Sequence, residues 1–232
     1  MTDNTNTNYY ILSNETDKKI IGKQYPQCKG MPSGLGLTSN WFEQKNSMTK
    51  LSNNEVPDFT PDLIFELESD AILTDVISPS NISAKGLLIN SRTKQLFDKY
   101  EIMDHKYFHA TVYFKKTKLD YYWLHFIDID GLMLKDIDYN LSSFFIADIV
   151  FSKIEDIDIQ SYEDYLSEKM NLSMQYIRAE KLIFKPMTKS KECDLFYLDQ
   201  LASKFFISKA LKNDIEVNNI SGLLIKEQSI LR

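Results

Sequence analysis

Carboxylates alternate with isoleucines at two places in this chain, in Phe126-Ile127-Asp128-Ile129-Asp130 and in Ile154-Glu155-Asp156-Ile157-Asp158-Ile159. A period of two is that of a strand with one buried face and one wet face, so the pattern points both segments towards sheet. The stretch from Asp128 to Asp164 holds ten acidic residues against Lys135 and Lys153. The whole chain carries a net charge of only −6, so the remainder is slightly basic and the negative charge is concentrated here. Carboxylates presented from a rigid sheet repel nucleic acid and attract basic partners.

The 232 residues, 43% hydrophobic and 26% charged, have the composition of a soluble globular protein with room for one large domain or two small ones. Abundant Tyr and Phe supply the apolar area that disordered chains lack. The first residues have neither a basic n-region nor an apolar h-region, so no signal peptide is expected. No run approaches the roughly 20 apolar residues of a membrane span. Cys28 and Cys193 make no disulfide framework, and two reduced thiols in a cytoplasmic protein are expected.

Tyr9-Tyr10-Ile11-Leu12 reads as a first strand, followed by an irregular excursion over residues 13 to 60 that packs locally around Trp41 and Phe42. Gly34-Leu35-Gly36 reads as a surface turn within it. Strands are expected at Asp62–Leu67, Gly86–Ile89, Tyr107–Phe114, Tyr121–Ile129, Ile177–Phe184 and Leu195–Leu198, where aromatic and β-branched residues cluster. Asn90 or Ser91 caps a helix that puts Leu96, Phe97 and Tyr100 on one face, and Ser161 opens another in capping-box style. Asp130-Gly131 is the favoured pair for a two-residue hairpin turn. The predicted class is α+β, mostly antiparallel sheet with a few short helices. It includes two similar strand–cap–helix–strand units, one starting at Leu87 and one at Phe205. Residues 1–61 are expected to be an N-terminal strand and excursion that is part of the same unit, and residues 62–232 the main α+β domain.

The chemistry-bearing residues form no catalytic or metal-binding motif. His105 and His109 have the helical spacing of zinc ligands, but their segment reads as strand and lacks the His-Glu-x-x-His pattern. Asp128-x-Asp130 begins like a calcium loop, yet Leu132 and Met133 stand where an oxygen donor and a glycine are required. Cys28 has no base nearby in sequence. No cofactor is expected.

Several short motifs occur in a familiar order. They are Ile89-Asn90-Ser91, Tyr107-Phe108-His109-Ala110, Tyr121-Tyr122-Trp123-Leu124-His125-Phe126, and Ile137-Asp138-Tyr139-x-x-Ser142-x-Phe144. Lys181-Leu182-Ile183-Phe184-Lys185, Phe206-Ile207-Ser208-x-x-Leu211-Lys212 and Ile220-Ser221-Gly222-Leu223 follow. Over roughly residues 62 to 227 the chain thereby resembles the bacterial polymorphic-toxin immunity protein family numbered eleven. Lys185 departs from it, standing where the family often has arginine. The resemblance implies a non-catalytic protein, made beside a toxin, that neutralises it by tight binding.

Resemblance and charge meet in one expectation, a cognate toxin domain of basic character as partner. Asp128, Asp130, Asp136 and Asp138, with Tyr139 as part of the same surface, are the candidate contact residues, and tight binding would need a desolvated aromatic anchor at the centre. Two other readings stand beside it: a small hydrolase using His125 or His109 with one of the aspartates, and an acidic-faced interaction scaffold.

Overall fold

Three separate sheets, built largely from the aromatic and β-branched runs, organise the chain. The structure is a computed structural model that describes residues 9–30, 43–186, 188, 192–199 and 201–231. Trp41, Phe42 and the Gly34-Leu35-Gly36 turn lie outside the described residues. The elements are β1 (Tyr9–Asn14), α1 (Lys18–Ile21), β2 (Ile64–Glu66), β3 (Val76–Ile77), β4 (Gly86–Asn90), α2 (Ser91–Phe97), β5 (His105–Phe114), β6 (Thr117–Phe126) and α3 (Leu132–Lys135). Then come β7 (Ser143–Ala147), β8 (Lys153–Ile157), α4 (Tyr162–Asn171), β9 (Tyr176–Lys181), β10 (Leu195–Leu198), β11 (Lys204–Ser208), α5 (Lys209–Val217) and β12 (Leu223–Lys226). The sheet orders are β10-β11-β1-β12, β2-β5-β6-β4-β3 and β8-β7-β9. The pairs β1–β11, β10–β11, β3–β4, β4–β6, β5–β6, β7–β8 and β7–β9 are antiparallel, while β2 and β5 run parallel. The protein is thus α+β with mostly antiparallel sheet and a few short helices.

The chain divides into two compact units, each assembled from distant pieces of sequence. One holds residues up to Leu12, Gly131–Lys212 and Ile225 onward; the other holds Ser13–Asp130 and Asn213–Leu224. Residues 43–61 contribute Met48 and Leu51 to the same buried cluster as Phe65, Phe108 and Trp123. Pairing in space, rather than order along the chain, sets these units.

In the Ser13–Asp130 unit the long β5–β6 hairpin runs in register from His105↔Phe126 to Phe114↔Thr117. Its turn is Lys115-Lys116, both at positive φ (48° and 68°), as a two-residue hairpin of matching twist requires. Lysine is a poor residue for that conformation, and the ten-residue strands on either side carry its cost. The hairpin expected at Asp130-Gly131 is a correction: β6 stops at Phe126, and Ile129–Gly131 is a 3-10 turn leading directly into α3. Gly131 does adopt positive φ (62°), but it redirects the chain into a helix.

Both strand–cap–helix–strand units are present. Asn90 Oδ1 accepts from the Thr93 amide at 2.9 Å, and Ser208 Oγ accepts from the Leu211 amide at 3.2 Å, each satisfying a free N–H of the first helical turn. The Ser161 cap is also found, its Oγ accepting from the Asp164 amide at 3.0 Å.

The C-terminal piece of the Ser13–Asp130 unit is held to its body by the Asp75 carboxylate together with backbone hydrogen bonds. Asp75 Oδ2 accepts from the Ser221 amide (2.8 Å) and hydroxyl (2.7 Å), while Oδ1 accepts from the Asn90 side-chain amide (2.8 Å). The Val76 amide donates to Ser221 O at 3.0 Å, and the Glu15 amide donates to Gly222 O at 3.0 Å. Gly222 has φ +87°, and a Cβ there would lie 1.9 Å from Val76 O. Both the conformation and the approach demand glycine. Gly222→Ala is therefore expected to cost roughly 2–3 kcal/mol, the overpacking range where the obstacle is backbone. Denaturant titration with unchanged slope and a lower midpoint is the expected result.

Candidate functional site

The five residues expected to contact a partner are not arranged as a strand face. Asp128 and Asp130 belong to one compact unit, Asp136 and Asp138 to the other. Asp128 is half-buried and its amide donates to Asn53 O at 2.7 Å. The side chain of Asp130 lies outside what the structure describes. Asp136 and Asp138 are half-buried and flank a bridge between Ile137 and Phe184. The Lys185 amide donates to Asp136 O (2.8 Å) and the Asp138 amide to Ile183 O (2.7 Å). Lys185 places its ammonium 2.8 Å from Lys135 O. Tyr139 is 4% exposed. Its hydroxyl donates to Leu134 O at 3.1 Å and its ring stacks on Phe144 at 5.5 Å. The buried side chain thus holds this segment's fold.

The second acid–isoleucine run is strand, but with a different face structure from the one predicted. Within the three-stranded sheet β7 is central, with Phe144, Ile146 and Ala147 buried. β8 is an outer strand whose residues Lys153 to Asp156 are all exposed, with Ile157 half-buried. Ile154 stands at a register shift opposite Ile146/Ala147, which lifts it out of the packed face.

The β7–β8 turn is the feature that sequence reasoning missed. Asp148 organises it: its Oδ1 accepts from the Val150 amide (2.9 Å) and the Ser152 amide (2.8 Å). The Phe151 amide donates to Asp148 O, and the Asp148 amide to Ser152 O, both at 3.0 Å. The turn so built exposes three consecutive apolar side chains, Ile149 (59%), Val150 (71%) and Phe151 (56%). Phe151 sits at φ +64°, a conformation rare for a bulky residue and costly to hold. Its ring packs on Tyr176 at 5.6 Å and under the Arg178 guanidinium at 4.8 Å. Arg178 in turn donates to Ala202 O (2.6 Å) and Ser203 Oγ (2.9 Å). Beside Phe151 opens a cleft of about 430 Å³, lined also by Tyr165, Leu172, Tyr176, Arg178 and Asp199. The available signal was the triplet Ile149-Val150-Phe151 itself, because polar residues and glycine are the usual choice for a turn.

The histidines separate by burial. His105 and His109 lie on β5, a strand, and among the described residues no group of three or more His, Cys, Asp or Glu side chains is placed to hold a metal ion. His109 Nε2 is 3.0 Å from Asp120 Oδ1, with both side chains more than half exposed on the β5–β6 hairpin. His125 is fully buried, and its Nε2 is 2.9 Å from Ser52 O. That contact makes Nε2 the donor and leaves Nδ1, which meets no hydrogen-bond partner, as the bare acceptor. Cys28 is buried, and burial pushes its thiol well above the ordinary range. No helix among the described residues is long and apolar enough to cross a membrane.

Two groups contribute to the acid stability, the buried His125 and the half-buried Asp75. Burial lowers the His125 pKa below the ordinary 6.5, outweighing the Ser52 hydrogen bond, with Lys106 acting in the same direction as burial. Burial alone would raise Asp75, but the Ser221 amide and hydroxyl, the Asn90 amide and Arg92 together bring it below 3.8. A depressed folded-state pKa means that the unfolded chain binds the proton more readily. Stability is therefore present above the unfolded value and falls as pH drops through the window. The His125 loss should begin below about pH 6.5 and the Asp75 loss below about pH 3.8. Denaturant midpoints measured against pH are expected to fall in two stages. His125→Gln, which cannot titrate, should weaken the first stage while lowering stability throughout.

No family model matches this chain, and no curated protein matches its sequence.

Proposed function

We propose that this chain is a non-catalytic binding protein that neutralises a basic toxin domain made beside it, as an immunity protein. The observation that carries the proposal is the β7–β8 hairpin, where Ile149, Val150 and Phe151 stand exposed on a turn held rigid by Asp148. A contiguous exposed apolar group is costly for a lone soluble protein and is typical of an interaction site. Rigid apolar anchors supply affinity in such sites, because little conformational freedom is lost on binding. The carboxylates of Glu155, Asp156 and Asp158 follow directly, all exposed, and favour a basic partner by speeding encounter and rejecting acidic surfaces. The order of short motifs resembling immunity family eleven supports the same reading, and a cytoplasmic location goes with it.

The enzyme alternative is favoured by one observation, the exposed His109–Asp120 pair. A hydrolase using it would lose activity in His109→Ala, whereas a binding protein would keep its protection in that variant.

Survival of a bacterial host tests the proposal. The C-terminal domain encoded by the adjacent gene is induced with and without this chain. Rescue together with co-purification is expected. Phe151→Ser combined with Val150→Ser should weaken the complex at least ~100-fold, the scale of losing a hot spot. A neighbouring product that is harmless, or that kills regardless, would remove the proposal.

A further inference from the structure

The edge of β8 carries a second inference, which rests on the toxin-binding reading and adds how the partner is held. β8 is outermost in the order β8-β7-β9, and no strand lies beyond it among the described residues. An edge strand offers a row of N–H and C=O groups that another chain can pair with, and proteins usually protect such edges with free lysines, prolines or a covering segment. Here the protection is weak. The single lysine of β8, Lys153, has its ammonium 2.6 Å from Asp156 and 3.6 Å from Glu180, and is outnumbered by the carboxylates of Glu155, Asp156 and Glu180. Four of the five residues are exposed, and the rigid apolar turn leads straight into the strand.

We infer that the outer edge of β8 accepts a β-strand of the partner toxin, and that this strand carries adjacent basic residues. Its basic side chains lie along Glu155 and Asp156, and the apolar ones beside them meet Ile149, Val150 and Phe151. Main-chain hydrogen bonds supply affinity and the side chains supply selectivity, as in other cases of strand addition. Glu155 and Asp156 are consecutive, so they project on opposite faces of the strand. A complementary strand needs a positive charge on each face, which means neighbouring Lys or Arg residues.

Charge favours this occupant over an anionic surface and over a second copy in the registers that oppose like charges. A second copy of the chain paired antiparallel about Glu155 would set that carboxylate opposite itself. Paired parallel and in register, it would oppose both Glu155 and Asp156 to their own kind. Like charges directly opposite destabilise a sheet pair, and opposite charges stabilise it. An anionic membrane surface would be repelled by the carboxylates of Asp148, Glu155 and Asp156 around the apolar tip.

The experiment uses the full chain and the adjacent gene's toxin domain, with backbone hydrogen exchange read on each protein alone and on the complex. New protection at alternate amides of residues 153–157 on complex formation is the expected result. Glu155→Lys combined with Asp156→Lys should slow association at low salt at least ~10-fold, in the range of electrostatic steering. The same charge change at Glu55 and Asp58, exposed positions of the other unit, should leave association near that of the native chain. A complex that forms without protection of β8 overturns strand addition and leaves the proposed function standing. Protection that appears in the chain alone as its concentration rises names a second copy as the occupant and overturns the inference. Absence of any complex overturns both readings together. Exchange on the native chain decides the matter even if the double variant fails to fold.

Discussion

Asp75 closes a unit whose two pieces are separated by about eighty residues of intervening chain. A short segment returning from the other unit buries Ile215 and Ile220 and is captured as well by specific polar contacts. One half-buried carboxylate does this by accepting from Ser221 twice and from Asn90 once, with the Arg92 guanidinium 3.6 Å away. Asn90 links the capture to the fold, because the same side chain that donates to Asp75 also caps α2. Removing a charge-assisted acceptor of this kind leaves donors unsatisfied, and that penalty exceeds the modest net gain of making the bonds. The glycine at 222 completes the joint, since any side chain there would meet Val76 O.

The β7–β8 hairpin follows the opposite logic. Its turn exposes apolar residues, places Phe151 in a strained conformation and leaves an edge strand uncovered, all of which reduce stability or invite association. The Asp148 carboxylate, the Tyr176 ring and the Arg178 guanidinium hold that arrangement in place. Structure spent on fixing an unfavourable surface is the physical basis for treating it as functional. The Ser13–Asp130 unit is built differently, around the contiguous buried cluster from Cys28 to Trp123.

Much of the fold was readable from local pattern. The strands at Tyr9, Gly86, Tyr107, Tyr121 and Leu195 were marked by aromatic and β-branched runs, and the caps at Asn90, Ser161 and Ser208 by their side-chain oxygens. The errors came where tertiary pairing overrode local preference. Lys115-Lys116 makes the hairpin turn because ten paired residues on each side force the geometry, whereas Asp130-Gly131 has no second strand to pair with and turns into α3. The acid–isoleucine alternation was read as one buried and one wet face. At Ile127–Asp130 it belongs to a connection, and at β8 it belongs to an edge strand exposed from Lys153 to Asp156, with only Ile157 and the following Ile159 turned inward. Tyr139 was assigned to the surface because aromatic character does not reveal which side of an element is covered.

The sequence by itself determined the secondary-structure content, the α+β class and the concentration of negative charge, since these depend on side-chain chemistry and short-range periodicity. Only the tertiary structure decided which acids share a surface, which strand is left at an edge and which aromatic residues are buried. Those outcomes depend on which distant segments pair, and that is set by long-range packing and by contacts such as Asp75 with Ser221. The division of the carboxylates between two units and the exposure of the Ile149–Phe151 turn are consequences of that pairing.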